Sequence, residues 1–272
     1  KYIGIFKNGK YNGKGKFFYK NGNTFEGEFK NNKFNGYGTS KFISGEKYVG
    51  YFKNNKYEGQ GTLLFAGGEK YIGNFKNGSQ NGQGKYFYKN GDVYEGNNKD
   101  GLADGYGTIS FSTGAKYVGY FKKDKYNGKG KYTYADGSRY EGEFIAGKRN
   151  GFGIFSSKKG DKYTGLFKNN LNHGYGTYIY KNGNKYEGEF LNGKKEGNGI
   201  ATFISGNKYI GTFKNGKYHE KGTFFWKTGH TYEGEYNLGK MEGFGTYKFA
   251  NGEKYIGQFK RDNRNGKGKY FF

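Results

Sequence analysis

An aromatic residue returns every 23 positions along this chain, at Tyr2, Phe25, Tyr48, Tyr71, Tyr94, Tyr117, Tyr140, Tyr163, Tyr186, Tyr209, Tyr232 and Tyr255, without an insertion or deletion. Self-similarity at a fixed period means a repeat architecture in which each unit leans mainly on its neighbours. Twelve repeats beginning at those positions fill residues 1–272 as one array. Two residues after each aromatic stands a Gly, from Gly4 to Gly257, and two further on stands Phe or Tyr in eleven repeats, Asn98 being the exception. Alternation at period two is the pattern of a strand. The second half of most repeats reads Gly-x-Gly-x-aromatic, as in Gly82-Gln83-Gly84-Lys85-Tyr86, again one class of residue on one face. Asn-Gly turns such as Lys7-Asn8-Gly9-Lys10 and Lys89-Asn90-Gly91-Asp92 separate the strands and supply the positive φ that tight hairpins need. No segment carries a helical period.

These features predict an all-β fold: an elongated single-layer antiparallel β-hairpin repeat array, a twisted rod or trough. With up to 24 strands at ~4.8 Å spacing, it would extend on the order of 115 Å. Composition accounts for the thinness. Only 32% of residues are hydrophobic, too few for a thick core, while 30 Tyr and 27 Phe are far too many for a disordered chain. The aromatics must bury themselves, and the glycines give them room: without a Cβ, the backbone lets a neighbouring ring lie flat across it. Asn98, Ser157 and Glu220 depart from the repeat pattern and are candidate weak points.

Tyr140-Glu141-Gly142-Glu143-Phe144, followed by Gly151-Phe152-Gly153, resembles the MORN (membrane occupation and recognition nexus) repeat, and similar units begin at Phe25, Tyr186 and Tyr232. The resemblance covers the whole chain. It implies an elongated β-hairpin sheet with an aromatic groove, to which Tyr48, Phe52, Tyr71, Phe75, Tyr117, Phe121, Tyr140, Phe144, Tyr163 and Phe167 are assigned. It also implies the family's roles: scaffolding, self-association, and tethering at membranes or cytoskeletal structures, sometimes as an appendage to a lipid kinase or another enzyme.

A formal charge of +24 is concentrated in lysines that share one repeat position, including Lys7, Lys30, Lys53, Lys76, Lys99 and Lys122. A basic edge of this kind can contact an anionic leaflet, each cation near the surface contributing about 1 kcal/mol, or it can simply keep an exposed sheet soluble. Base-specific nucleic-acid readout is disfavoured, since only four of the 47 basic residues are Arg; phosphate binding without base readout stays open. Aromatics beside lysines could stack bases, but are more economically the core.

No catalytic site, cofactor, metal centre or small-molecule substrate is expected. Gly13-Lys14-Gly15-Lys16 matches no phosphate-loop pattern and precedes no helix, and His173, His219 and His230 follow no metal-ligand spacing. Paired glutamates such as Glu187 and Glu189 read as surface ion-pair partners of lysines like Lys185. The face opposite the aromatics carries Ile3, Ile5, Val49, Tyr51, Ile72, Val118 and Tyr120, a candidate partner surface. The terminal strands offer open edges for self-association.

The expectation is therefore a non-catalytic scaffold binding proteins or itself. The alternatives are a peripheral module for anionic phospholipid membranes, or the regulatory repeats of an enzyme whose catalytic domain lies elsewhere. Absence of Cys and of any long apolar run fits a cytoplasmic protein, peripheral at membrane or cytoskeleton. Starting at Lys1 within the repeat pattern, the sequence reads as a segment of a longer protein.

Overall fold

The computed structural model describes residues 1–272. The chain is all-β, with 24 strands and no helix. Each repeat contributes a short strand and a nine-residue strand, as in Lys47–Lys53 and Lys56–Leu64. Asn54 and Asn55 join these two with φ of 50° and 70°, both left-handed, as a two-residue hairpin turn whose twist matches the strands requires. A longer connection leads to the next repeat, closed where Phe65 N–H donates to Glu69 O (2.9 Å) and Gly68 N–H to Phe65 O (3.0 Å).

Two compact units emerge, residues 1–135 and 136–272. Within each, successive strands pair antiparallel in sequence order, giving a meander. The register places glycine opposite glycine at every step, for example Gly38 with Gly50, Gly50 with Gly61 and Gly61 with Gly73.

These glycine rows make room for the core. A Cβ on Gly50 would lie 2.6 Å from both Gly61 Cα and the Tyr48 hydroxyl oxygen, closer than any side chain tolerates. The Tyr48 ring lies across both glycines and its hydroxyl donates to Tyr51 O (3.0 Å). The same bond to the carbonyl three residues on recurs from Tyr71 (3.2 Å), Tyr94 (2.6 Å), Tyr163 (2.9 Å) and Tyr209 (3.1 Å). That carbonyl sits where the partner strand bulges: Gly50 pairs with Gly61 and Phe52 with Tyr57, so one residue of the first strand faces three of the second. Gly59 absorbs the bulge at φ 65°.

Turn side chains stitch each repeat to the next. Asn32 accepts from Tyr11 N–H and Asn55 from Phe34 N–H, both at 2.7 Å. On the other edge Asn23 accepts from Ile43 N–H and Asn184 from Ile204 N–H, both at 3.0 Å. On the hairpin-turn side, Glu58 also accepts from Asn77 N–H of the next repeat (3.0 Å).

None of the three expected weak points interrupts a strand. Asn98 is buried, donating to Gly96 O (3.1 Å) and Gly82 O (3.3 Å), so its amide stays satisfied where other repeats place a ring. Ser157 lies in an inter-repeat turn and its hydroxyl accepts from Asp161 N–H (3.0 Å). Glu220 adopts φ 53° inside the continuous strand Lys217–Phe225, taking the bulge conformation that Gly holds elsewhere.

Candidate functional site

On the aromatic face, the ring that starts a repeat stands perpendicular to the ring four residues on and to its counterpart in the next repeat, save where Asn98 takes that place beside Tyr71 and Tyr94. Tyr48 meets Phe52 at 5.0 Å and Phe75, from the next repeat, at 5.1 Å, interplanar angles 88° and 87°. Such edge-to-face contacts set the positive rim of one ring against the negative face of the next. Tyr48, Phe52, Tyr71, Phe75, Tyr117, Phe121, Tyr140, Phe144, Tyr163 and Phe167 are all buried, none more than 5% exposed. They form the floor beneath a groove and not its accessible lining, because side chains of the second strand, a ring in several repeats, cover them. Tyr57 stacks on Tyr48 at 3.8 Å, Phe34 on Phe25 at 3.7 Å and Tyr126 on Tyr117 at 3.8 Å.

The accessible lining belongs to that second layer. In the first unit a cleft of about 620 Å³ is bordered by Tyr11, Phe17, Tyr19, Phe34, Phe42 and Tyr57, with Asn23 from one row of turns and Asn55 from the other. Sequence reasoning gave the floor because its period is perfect, whereas the covering position varies. Arg149 fills it in the seventh repeat, its guanidinium 5.2 Å from the Phe167 ring and 5.5 Å from Tyr140. Lys195 fills it in the ninth, 4.8 Å from Tyr186, and burial pulls its pKa down. Cation–π contact holds these charges over the rings.

Burial pushes the phenols of the aromatic face upward. Tyr57 and Tyr71 rise to about 12, and so do Tyr163 and Tyr218, in each case chiefly through desolvation.

Lys7, Lys30, Lys53, Lys76, Lys99 and Lys122 are all exposed, each at the hairpin-turn end of its strand. Four of the six face a second lysine across the turn: Lys7 opposes Lys10, Lys30 opposes Lys33, Lys53 opposes Lys56 and Lys122 opposes Lys125. Like charges directly opposite destabilise a strand pair, so the edge is a concentrated field and not a set of ion pairs.

The opposite, outer face is polar in part. Lys185 pairs with Glu187 (2.6 Å), Lys16 with Glu26 (3.0 Å) and Lys85 with Glu95 (3.1 Å), exposed contacts worth little to stability. Ile3, Ile5, Ile72, Tyr51 and Tyr120 are exposed there, with Val49 and Val118 half-buried. Tyr37 and Tyr106, which the sequence pattern left unassigned, join Tyr51 and Tyr120 as cross-strand partners. The signal that finds them is the pairing register, which a single strand does not carry. His173 and His219 lie at the position Glu58 and Glu196 occupy in other repeats, and His230 accepts from Ala250 N–H (3.3 Å).

The MORN repeat family model matches twelve consecutive segments, residues 2–24, 25–47 and onward at the same spacing to 255–272. The chain belongs to the MORN repeat family. No curated protein matches it. Among solved structures, the TCP10 domain of Danio rerio CPAP in complex with a peptide of STIL is similar at 10% identity and a TM-score of 0.32, over 94% of this chain and 96% of that one. The Drosophila melanogaster SAS-4 TCP domain, in complex with a proline-rich motif of Ana2, is similar at 13% identity and 0.33, over 65% and 85%. Virginiamycin B lyase from Staphylococcus aureus follows at 9% identity and 0.16, over 94% and 87%. At such scores none of these likenesses bears on what this MORN array binds.

Proposed function

We propose that this MORN array is a non-catalytic scaffold that holds protein partners or a second copy of itself. The observation carrying this reading is the open cleft of the first unit, about 620 Å³, lined by rings of the second layer and flanked by turn amides. A concave apolar surface with a few polar groups at its rim suits a peptide segment better than a charged surface would. The test replaces Tyr19 and Phe42 with Ala and compares proteins recovered from native extract with wild type and variant. Partners lost while the thermal midpoint is retained support the reading; an unchanged set of partners sinks it. Self-association through the open terminal strands is read by light scattering, where a monomer mass independent of concentration removes it.

A second reading is favoured by one observation, the row of exposed turn lysines doubled across the turns: a peripheral module for anionic phospholipid membranes. Liposomes containing phosphatidylserine are expected to sediment wild type at physiological salt, but not a variant with Lys7, Lys30, Lys53, Lys76, Lys99 and Lys122 replaced by Gln. Sedimentation lost on raising salt to the physiological range returns the lysines to a solubilising role. The matching localisation is cytoplasmic, peripheral at a membrane or the cytoskeleton.

A further inference from the structure

On the outer face of the first unit, two tyrosine pairs flank a line of amides. Tyr37 and Tyr51 face each other from adjacent strands, ring centroids 5.4 Å apart and 51% and 53% exposed. Tyr106 and Tyr120 repeat the arrangement at 5.4 Å, both 52% exposed. Six strand spacings separate the pairs, roughly 29 Å. Between them, at the same repeat position, Gln60 donates to Asn74 Oδ1 (2.8 Å) and Gln83 to Asn97 Oδ1 (3.0 Å). Asn74 and Asn97 in turn donate to the Gln83 and Tyr106 carbonyls, each at 3.3 Å, so the amides are held in order.

None of these eight side chains is charged, in a chain of which 26% is charged. Lysines run along both sides. Lys53, Lys76, Lys99 and Lys122 lie two residues beyond the line on the hairpin-turn side, about 7 Å away, and Lys47, Lys70 and Lys116 lie about four residues back, roughly 13 Å away. Of the carboxylates in reach, Glu95 is engaged by Lys85 (3.1 Å), Glu58 by Asn77 N–H (3.0 Å) and Asp104 by Lys123 N–H (3.3 Å), while Glu28, at the same repeat position one strand before Tyr37, is exposed and bounds the line at that end.

We propose that this face binds single-stranded RNA. The bases stack on the exposed tyrosine pairs, the amide line takes base edges and ribose 2′-hydroxyls, and the two lysine rows take the phosphates. Each part answers a component of the polymer: flat apolar faces, neutral donors and acceptors, and regularly spaced anions. Stacking asks nothing of sequence, so the scarcity of Arg that argues against base-specific readout is no obstacle here. A second copy laid face to face would set lysine rows against lysine rows, which like charge opposes. A lipid leaflet would use the lysines but has no need of ordered amides. The site lies on the face opposite the aromatic cleft and stands independently of the scaffold reading.

Fluorescence anisotropy with a labelled oligouridylate of about twelve nucleotides tests it, on the whole chain at ~50 mM and ~150 mM salt. Wild type is expected to bind with a salt-dependent affinity. Tyr51→Ala with Tyr120→Ala should weaken binding about tenfold or more at unchanged thermal midpoint, since both side chains lie outside the core. Gln60→Ala with Gln83→Ala should narrow the preference for RNA over oligothymidylate of the same length, and Lys76→Gln with Lys99→Gln should flatten the salt dependence. Absence of binding at the lower salt overturns the proposal. Binding indifferent to the tyrosine variant reduces the face to an electrostatic surface, and equal affinity for oligothymidylate overturns the assignment to RNA. Phosphatidylserine vesicles that bind and are displaced by the tyrosine variant, with no RNA binding, would transfer the face to a membrane.

Discussion

Gly59 and Gly61 stand two residues apart in the same strand and do different work. Gly59 takes φ 65° in the bulge, a conformation that costs an L-residue roughly 1–2 kcal/mol, whereas Gly61 leaves the space that the Tyr48 ring fills. Gly50→Val should therefore cost on the order of 3 kcal/mol, while replacing exposed Lys53 with Val should change stability by a few tenths; equal thermal midpoints for the two variants would overturn this account. Glu220 supplies the converse case, an L-residue held at φ 53° where Gly197 and Gly243 take 60° and 64°. Glu220→Gly should raise stability by about 1 kcal/mol in denaturant titration, and a loss would mean that the Glu220 side chain contributes more than its backbone strain removes.

At the scale of the hairpin, the first-strand ring and the bulge form one device. The bulge takes the Tyr51 carbonyl off the inter-strand ladder and the Tyr48 hydroxyl donates to it at 3.0 Å. Phe25 begins the only repeat without that hydroxyl. Phe25→Tyr is expected to add the bond to the Glu28 carbonyl and raise stability by about 0.5–1.5 kcal/mol; an unchanged midpoint in thermal unfolding would show that the carbonyl is already satisfied. The strands, their number and the need for glycine beneath the rings were legible in the sequence, because each is written in period two within period 23. The bulge was not, since the two glycines of Gly-x-Gly look alike until a partner strand shows which one pairs. The groove was half legible: Tyr48 and Phe52 stand out by their regularity, yet that regularity is the mark of a core, and the rings that solvent reaches occupy a position where Tyr57 alternates with Gln80, Ala103 and Arg149. Tyr37 and Tyr51 become a pair only through register.

Over the whole molecule, each unit is built around the same kind of aromatic interior, and the two differ on their outer faces. Residues 136–272 set glutamate pairs at every second repeat, Glu141 with Glu143, Glu187 with Glu189 and Glu233 with Glu235, where residues 1–135 carry the tyrosine and amide line. That kind of interior gives both units one property. The phenols of Tyr57, Tyr71, Tyr163 and Tyr218 are raised from 10.0 to about 12 because burial disfavours their charged form. The folded state thus binds these protons more tightly than the unfolded chain, so their stabilisation is complete below pH 10 and drains away as pH climbs from 10 towards 12. Strand circular dichroism should be lost above pH 10 together with ionisation of these core phenols; core phenolates appearing while the strands remain intact would contradict it. The stitches carry a different consequence. Each spans 19 to 21 residues, from Asn23 to Ile43, from Asn32 back to Tyr11 or from Glu58 to Asn77, whichever repeat it starts in. Excising or duplicating 23 residues therefore leaves the remaining stitches and glycine pairs with partners, while an insertion whose length is not a multiple of 23 severs them at one point. Gain or loss of one whole repeat can change the length of the array without passing through a chain that fails to fold, so repeat number is a trait that evolution can adjust one whole hairpin at a time.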